Sequence, residues 1–154
     1  MDRMDGYGDF VRARRVILGF TQRALAERAG VKQPLIAAIE SGRRQPSEAT
    51  RAALDRALAL RPSTALAARR DEVGRVFARA GLAPPQVFGS VARGEDTPGS
   101  DLDLLVEFTD AHDVVDLLAL EDELHRLLTI PVDLVDARTK GRATARAAAE
   151  AVAL

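Results

Sequence analysis

The first sixty residues set short apolar stripes at helical spacing between regularly placed glycines. DFVRARRVILG closes on Gly19, and Thr21 stands where a helix N-cap belongs, ahead of TQRALAERA and a stop at Gly30. Val31 and Lys32 make a tight connection to QPLIAAIES, whose Pro34 falls in a first turn where a missing N–H costs nothing, and Gly42 ends it. Ala24, Leu25, Val31, Ile36 and Ile39 are spaced to converge between these segments, which predicts a helix, a short turn and a second helix. Pro46 and Ser47 then open SEATRAALDRALAL, with Leu54 and Leu58 inward.

After Pro62 the pattern changes. TALAARRDEVGRVFARAG predicts one helix with Val73, Val76 and Phe77 on a common face and Gly81 past its end. Val87 and Phe88 form a short strand, Gly89 and Ser90 follow at once, and SVAR begins a helical turn. SDLDLLVEF has period two, with Asp101 and Asp103 on one face and Leu102 and Leu104 on the other. DVVDLLALEDELHRLL predicts a helix with Val114, Leu117, Leu118, Leu124 and Leu128 inward and Glu121 to Glu123 outward. IPVDLV is another β-type run, carrying Asp133, and the Ala-rich TKGRATARAAAEAVAL predicts a closing helix. The expected fold class is α followed by α/β: an all-α helix-turn-helix domain over residues 1–62, then a small α/β domain with a short mixed sheet over residues 63–154.

Composition narrows the chemistry. The 154 residues are 47% apolar and 29% charged, too hydrophobic for a disordered chain. Without cysteine there are no disulfides, thiolate metal sites or cysteine nucleophiles, and at 4% aromatic with no Trp the stacking platforms for single-stranded nucleic acid are missing. The opening MDRMDGYGDF carries acid and glycine where a secretory signal is basic then apolar, and no apolar run is long enough for a bilayer, so a cytoplasmic location and no membrane association are expected. The net charge of −1 divides at Pro62 into +5 and −6. A basic half suits phosphate backbones, and an acidic half suits cations or a basic partner.

Asp101 and Asp103 on one face of a strand repel each other, and a divalent cation is the simplest compensation. Asp133, on an adjacent strand, would complete a carboxylate triad. Backbone N–H groups at the Gly89-Ser90 bend would meet an anion. His112 and His125 have no metal-ligand partners at useful spacing and read as loop and helix-surface residues.

Two resemblances follow from these residues. FTQRALAERAGVKQPLIAAIESGRRQPS resembles the helix-turn-helix of the phage-repressor (Cro or XRE) family. That resemblance implies that Gln22 holds a phosphate, Lys32 and Gln33 open a recognition helix toward base edges of double-stranded operator DNA, and Arg43 and Arg44 grip the backbone. The sequence departs from the family at Pro34, Leu35, Ala37 and Ala38, where polar readers are common, so base readout is expected to be sparse. A twofold homodimer reading half-sites about 34 Å apart is expected. Gly89-Ser90, ten residues, then Asp101-Leu102-Asp103 is similar to the signature of the minimal nucleotidyltransferases of the polymerase-β superfamily, and VARGE and PVDLVD match its surroundings. The resemblance implies that Gly89, Ser90 and Arg93 hold the triphosphate of ATP or another nucleoside triphosphate. It further implies that Asp101, Asp103 and Asp133 bind two Mg²⁺ ions, and that Asp133 aids deprotonation of the attacking hydroxyl. Small proteins of this kind commonly act as antitoxins to HEPN-type toxins. The expected function is an antitoxin-like autoregulator that transfers a nucleotide, AMP from ATP, to such a toxin. A regulator whose second domain only binds nucleotide or partner, and a small-molecule nucleotidyltransferase, are the alternatives.

Overall fold

The computed structural model describes residues 6–154, so the acidic opening before Gly6 lies outside the described residues. The chain divides into two compact units, the first ending at Leu60 and the second running Arg61–Leu154.

The first unit is four helices: α1 (Tyr7–Ile17), α2 (Gln22–Ala29), α3 (Gln33–Glu40) and α4 (Glu48–Ala57). Local chemistry sets their ends. The Thr21 side chain accepts from Ala24 N–H at the start of α2, Gly30 ends it in the left-handed conformation (φ 69°), and Ser47 accepts from Thr50 N–H to start α4. Val11, Leu25, Ile36, Ile39, Leu54 and Leu58 form one buried cluster, and the Tyr7 hydroxyl donates to Asp55 Oδ1 (2.7 Å) between α1 and α4. Gly8 passes so close to α3 that a Cβ there would overlap the Ile39 carbonyl, a backbone atom that cannot rotate away. Gly8→Ala is therefore expected to destabilise this unit by about 1–3 kcal/mol, as overpacking does; calorimetric melting checks it, and an unchanged transition would remove the close approach.

The second unit begins with α5 (Pro62–Ala68) and α6 (Arg70–Arg79), then β1 (Gln86–Phe88), α7 (Gly89–Arg93), β2 (Leu102–Val106), α8 (Val114–Leu128), β3 (Val132–Asp136), α9 (Arg142–Glu150) and β4 (Val152–Ala153). The sheet order is β3-β2-β1-β4; β2 and β3 are parallel, and β1 is antiparallel to β2 and to β4. A parallel pair needs a crossover, and α8 supplies it, returning from the end of β2 to the start of β3. Leu102, Leu104, Val132 and Leu134 are buried together with Leu120, Leu124 and Leu128 of α8. At the β3 edge, Glu121 Oε1 accepts the Leu134 N–H (3.1 Å).

Four expectations need correction. The single helix after Pro62 breaks at Arg69, whose φ of −123° and ψ of 18° end α5 before α6 begins. The closing helix stops at Glu150, because Val152 and Ala153 pair with Val87 and Gln86. Val114 and Leu118 face out, at 68% and 57% exposure; the buried row of α8 is Leu120, Leu124 and Leu128, spaced four apart. Glu121, expected to face solvent, is half-buried and spent on the sheet edge, whereas His125 stays exposed on the helix surface with its ring against the Ile130 carbonyl (Nδ1···O 2.8 Å). No described helix is long and apolar enough to cross a membrane.

Candidate functional site

The sheet brings the second unit's candidate residues together. Asp103 lies opposite Asp133 in the parallel β2–β3 register and opposite Phe88 in the β1–β2 register. Register partners in a sheet share a face, so Asp103 and Asp133 stand side by side on the face opposite Leu102 and Leu104. The residue after Phe88 is Gly89, with φ +70°, in the left-handed region; a Cβ there would overlap the Asp103 carboxylate. Gly89 is thus favoured by its backbone conformation, and a side chain there would also have to displace the Asp103 carboxylate. Asp101 precedes β2 as an exposed loop residue rather than a strand residue, yet its charge still reaches Asp103.

Burial comes first among the causes that push the Asp103 carboxyl above its ordinary range; the Asp133 and Asp101 charges add to it, and Arg93 opposes them. Among the described residues no hydrogen bond or ion pair engages the carboxylates of Asp101, Asp103 or Asp133. Carboxylate oxygens without protein donors suit a divalent cation in chemistry, but among the described residues no three acidic or imidazole side chains stand close enough together to hold one.

Arg93, assigned to phosphate from the sequence, is at α7's end and held by two acids: its Nε donates to Glu95 Oε2 (2.9 Å) and its Nη1 to Glu150 Oε2 (3.0 Å). Ser90, in the first turn of α7, is partly buried. The loop from this turn to Asp101 has its own anchor, Asp96, which is 2% exposed. Its Oδ2 accepts from Ser63 N–H (2.8 Å), and Arg61 donates to its carbonyl (2.8 Å) and its Oδ1 (3.4 Å). Burial alone would raise this carboxyl, but the Ser63 bonds and the Arg61 charge outweigh it and hold the pKa below the ordinary value. Thr97 and Ser100 close the remaining turn through Ser100 Oγ (2.9 Å). Sequence reasoning missed Asp96 and Glu150; both look like solvated acids until partners 33 and 57 residues away fold against them.

In the first unit Gln22, Lys32 and Gln33 gather at the starts of α2 and α3, while Arg43 and Arg44 lie at the far end of α3. Lys32 and Gln33 are exposed at the start of α3, and Arg43 and Arg44 are exposed just beyond its end. Gln33 Nε2 donates to Gln22 Oε1 (2.9 Å), and Gln22 Nε2 donates to the buried Glu40 (2.9 Å). Glu40 also takes a two-pronged bond from Arg15, 2.6 Å from Nε and 3.0 Å from Nη2. The Gln22 amide therefore positions Gln33. Thr21, Gln22, Arg23, Gln33 and Pro34 line an open groove beside it.

The helix-turn-helix domain family matches residues 7–69 and the polymerase beta nucleotidyltransferase family residues 85–152. Protein adenylyltransferase MntA of Thermococcus cleftensis is 42% identical over 57 residues, 37% of this chain and 58% of the relative. MJ0128 of Methanocaldococcus jannaschii, provisionally named a protein adenylyltransferase, is 53% identical over 49 residues, 32% of this chain and 50% of the relative. The matches span half to just under two thirds of these relatives' lengths. A solved structure, provisionally described as a minimal nucleotidyltransferase, is 41% identical with a TM-score of 0.54, covering 60% of this chain and 95% of that one. With the Gly89-Ser90 turn packed on Asp103 and Asp133 beside it, the chain belongs to the minimal nucleotidyltransferases of the polymerase-β type, carried behind a helix-turn-helix domain.

Proposed function

We propose that this chain is an antitoxin-like autoregulator that binds operator DNA through its first unit and transfers AMP from ATP to a partner protein, a HEPN-type toxin, through its second. The observation that carries the enzymatic half is the crowding of Asp103 between the Gly89 turn and the charges of Asp133 and Asp101. Asp101, Asp103 and Asp133 would hold two Mg²⁺ ions, which when bound supply charge neutralisation for in-line displacement at the α-phosphate. Gly89 and Ser90 hold the triphosphate against the start of α7. Arg93 joins them by exchanging Glu95 and Glu150 for phosphate oxygens. The acceptor hydroxyl oxygen bonds to the α-phosphorus as the bond to the β-phosphate oxygen breaks; pyrophosphate leaves, and the hydroxyl proton passes to the Asp133 carboxylate, which is exposed enough to meet a protein acceptor. The names of the adenylyltransferase relatives support AMP as the transferred group.

The test is labelled ATP, Mg²⁺ and the product of the adjacent reading frame, mixed with the full chain. Label on that product supports transfer; a bound but unlabelled product returns the non-catalytic regulator.

For the first unit, Lys32 and Gln33 face base edges, Gln22 meets phosphate through the α2 N-terminus, and Arg43 and Arg44 neutralise phosphates, in a homodimer. Arg43→Ala with Arg44→Ala should weaken binding to promoter DNA at all sequences and flatten the slope of log K against log salt by about 1 per arginine. Gln33→Ala should relax sequence preference instead. Titrations by fluorescence anisotropy at several salt concentrations separate the two, and unchanged binding in both variants would refute the interface.

A further inference from the structure

On the outer side of α8, Val114, Val115 and Leu118 are 68%, 66% and 57% exposed. Spaced three and four apart, they form one continuous apolar stripe rather than scattered surface residues. The stripe runs into a groove lined by Leu118, Glu121, Asp122, His125, Pro131 and Val132. Val132 lies in the edge strand β3, and the next residue, Asp133, projects to the other face of the sheet, so the groove meets the carboxylates only around the β3 edge.

Charge says what covers it. Residues 107–125 contain seven Asp and Glu and no Lys or Arg. Three of these acids are paired, Asp110 with Arg138, Asp122 with Arg126 and Glu123 with Arg79, yet the surroundings stay negative. A second copy laid symmetrically on this face would set acid against acid. An apolar ridge framed by basic residues would match both the stripe and its rim.

We propose that the exposed face of α8 is the docking platform for the protein acceptor of nucleotidyl transfer, and that this acceptor offers a basic surface around an apolar ridge. The proposal rests on the transfer reading for its purpose and on the α8 surface for its place. Docking along the stripe places the acceptor against the β3 edge, around which its hydroxyl reaches Asp133, and the acids left unpaired make docking weaken with ionic strength.

The probe is the purified product of the adjacent reading frame, titrated against the full chain, Val115→Lys plus Leu118→Lys, the milder Leu118→Ser, and Asp103→Asn. The double variant should bind the probe about tenfold or more weakly, with affinity of the wild type falling as salt rises. It should keep the wild-type melting temperature, affinity for an ATP analogue and sedimentation behaviour, and Leu118→Ser should fall between. Unchanged affinity in the double variant overturns the platform, as does a wild-type dimer that the variant dissolves, which would give the face to a second copy. A wild-type chain that does not bind the probe overturns it too. Docking that depends on α8 without any label transferred sinks the transfer reading while the platform stands; transfer at full rate by the double variant does the reverse.

Discussion

Asp103→Asn is expected to slow nucleotidyl transfer by about 10²–10³-fold, roughly 3–4 kcal/mol of transition-state stabilisation. The amide keeps the size of the side chain and loses the charge that the site is built around. Because the carboxylate lacks a protein donor, the loss should not unfold the second unit. In chelator the variant should melt at or above the wild-type temperature, and the pH dependence tells why. Burial, then Asp133 and Asp101, hold the Asp103 carboxyl above its ordinary value of 3.8. A carboxyl raised by folding penalises the fold while it is ionised. The penalty is complete above the folded-state pKa and fades as pH falls through that value toward the unfolded one. Wild type should therefore gain stability over this acid window relative to Asp103→Asn, which cannot titrate there. Undiminished transfer would remove Asp103 from the machinery; identical melting profiles against pH would remove the crowding.

Arg15→Ala should cost the first unit most of its stability. Glu40 is buried, and Arg15 meets both of its oxygens while also donating to the Phe20 carbonyl (2.8 Å). Removing one member of a buried pair leaves an uncompensated charge and costs about 3–5 kcal/mol. Sixty residues are worth roughly 3–9 kcal/mol in all, at about 0.05–0.15 kcal/mol per residue, so the loss rivals the total. Gln22 still donates to Glu40 and softens the effect without replacing the charge. Circular dichroism should show the helical signal of α1–α4 lost at lower temperature, and DNA binding should fail with it. Arg15→Met plus Glu40→Leu should recover much of the stability but not the placement of Gln33, whose Gln22 contact depends on Glu40. A melt unchanged in Arg15→Ala would show that the network is ornamental.

What could be read from the sequence was whatever chemistry is local. Thr21, Gly30, Pro34 and Ser47 mark helix ends because caps act within one turn, and each stands where the sequence puts it. Gly89, Ser90, Asp101 and Asp103 were legible as a spacing, and Asp133 as an acid in a second strand; the register that sets it beside Asp103 was not, since nothing local fixes which residues pair across two strands. The α8 face was misread because Leu117, Leu118 and Leu120 offer rival stripes, and only packing on the sheet selects the row through Leu120, Leu124 and Leu128. Gly8, Glu40 and Asp96 were silent for a shared reason: a glycine or an acid acquires its meaning from a partner dozens of residues away, Ile39, Arg15 or Ser63.

The bond from Leu134 N–H to Glu121 has a bearing on how the protein behaves when concentrated. The outward amides of β3 are the row along which a stranger's backbone could zip, growing fibrous aggregates one chain at a time. A carboxylate already seated there forces any such recruit to evict it and to lie against its charge, so the boundary of the sheet resists extension by chains with no business joining it.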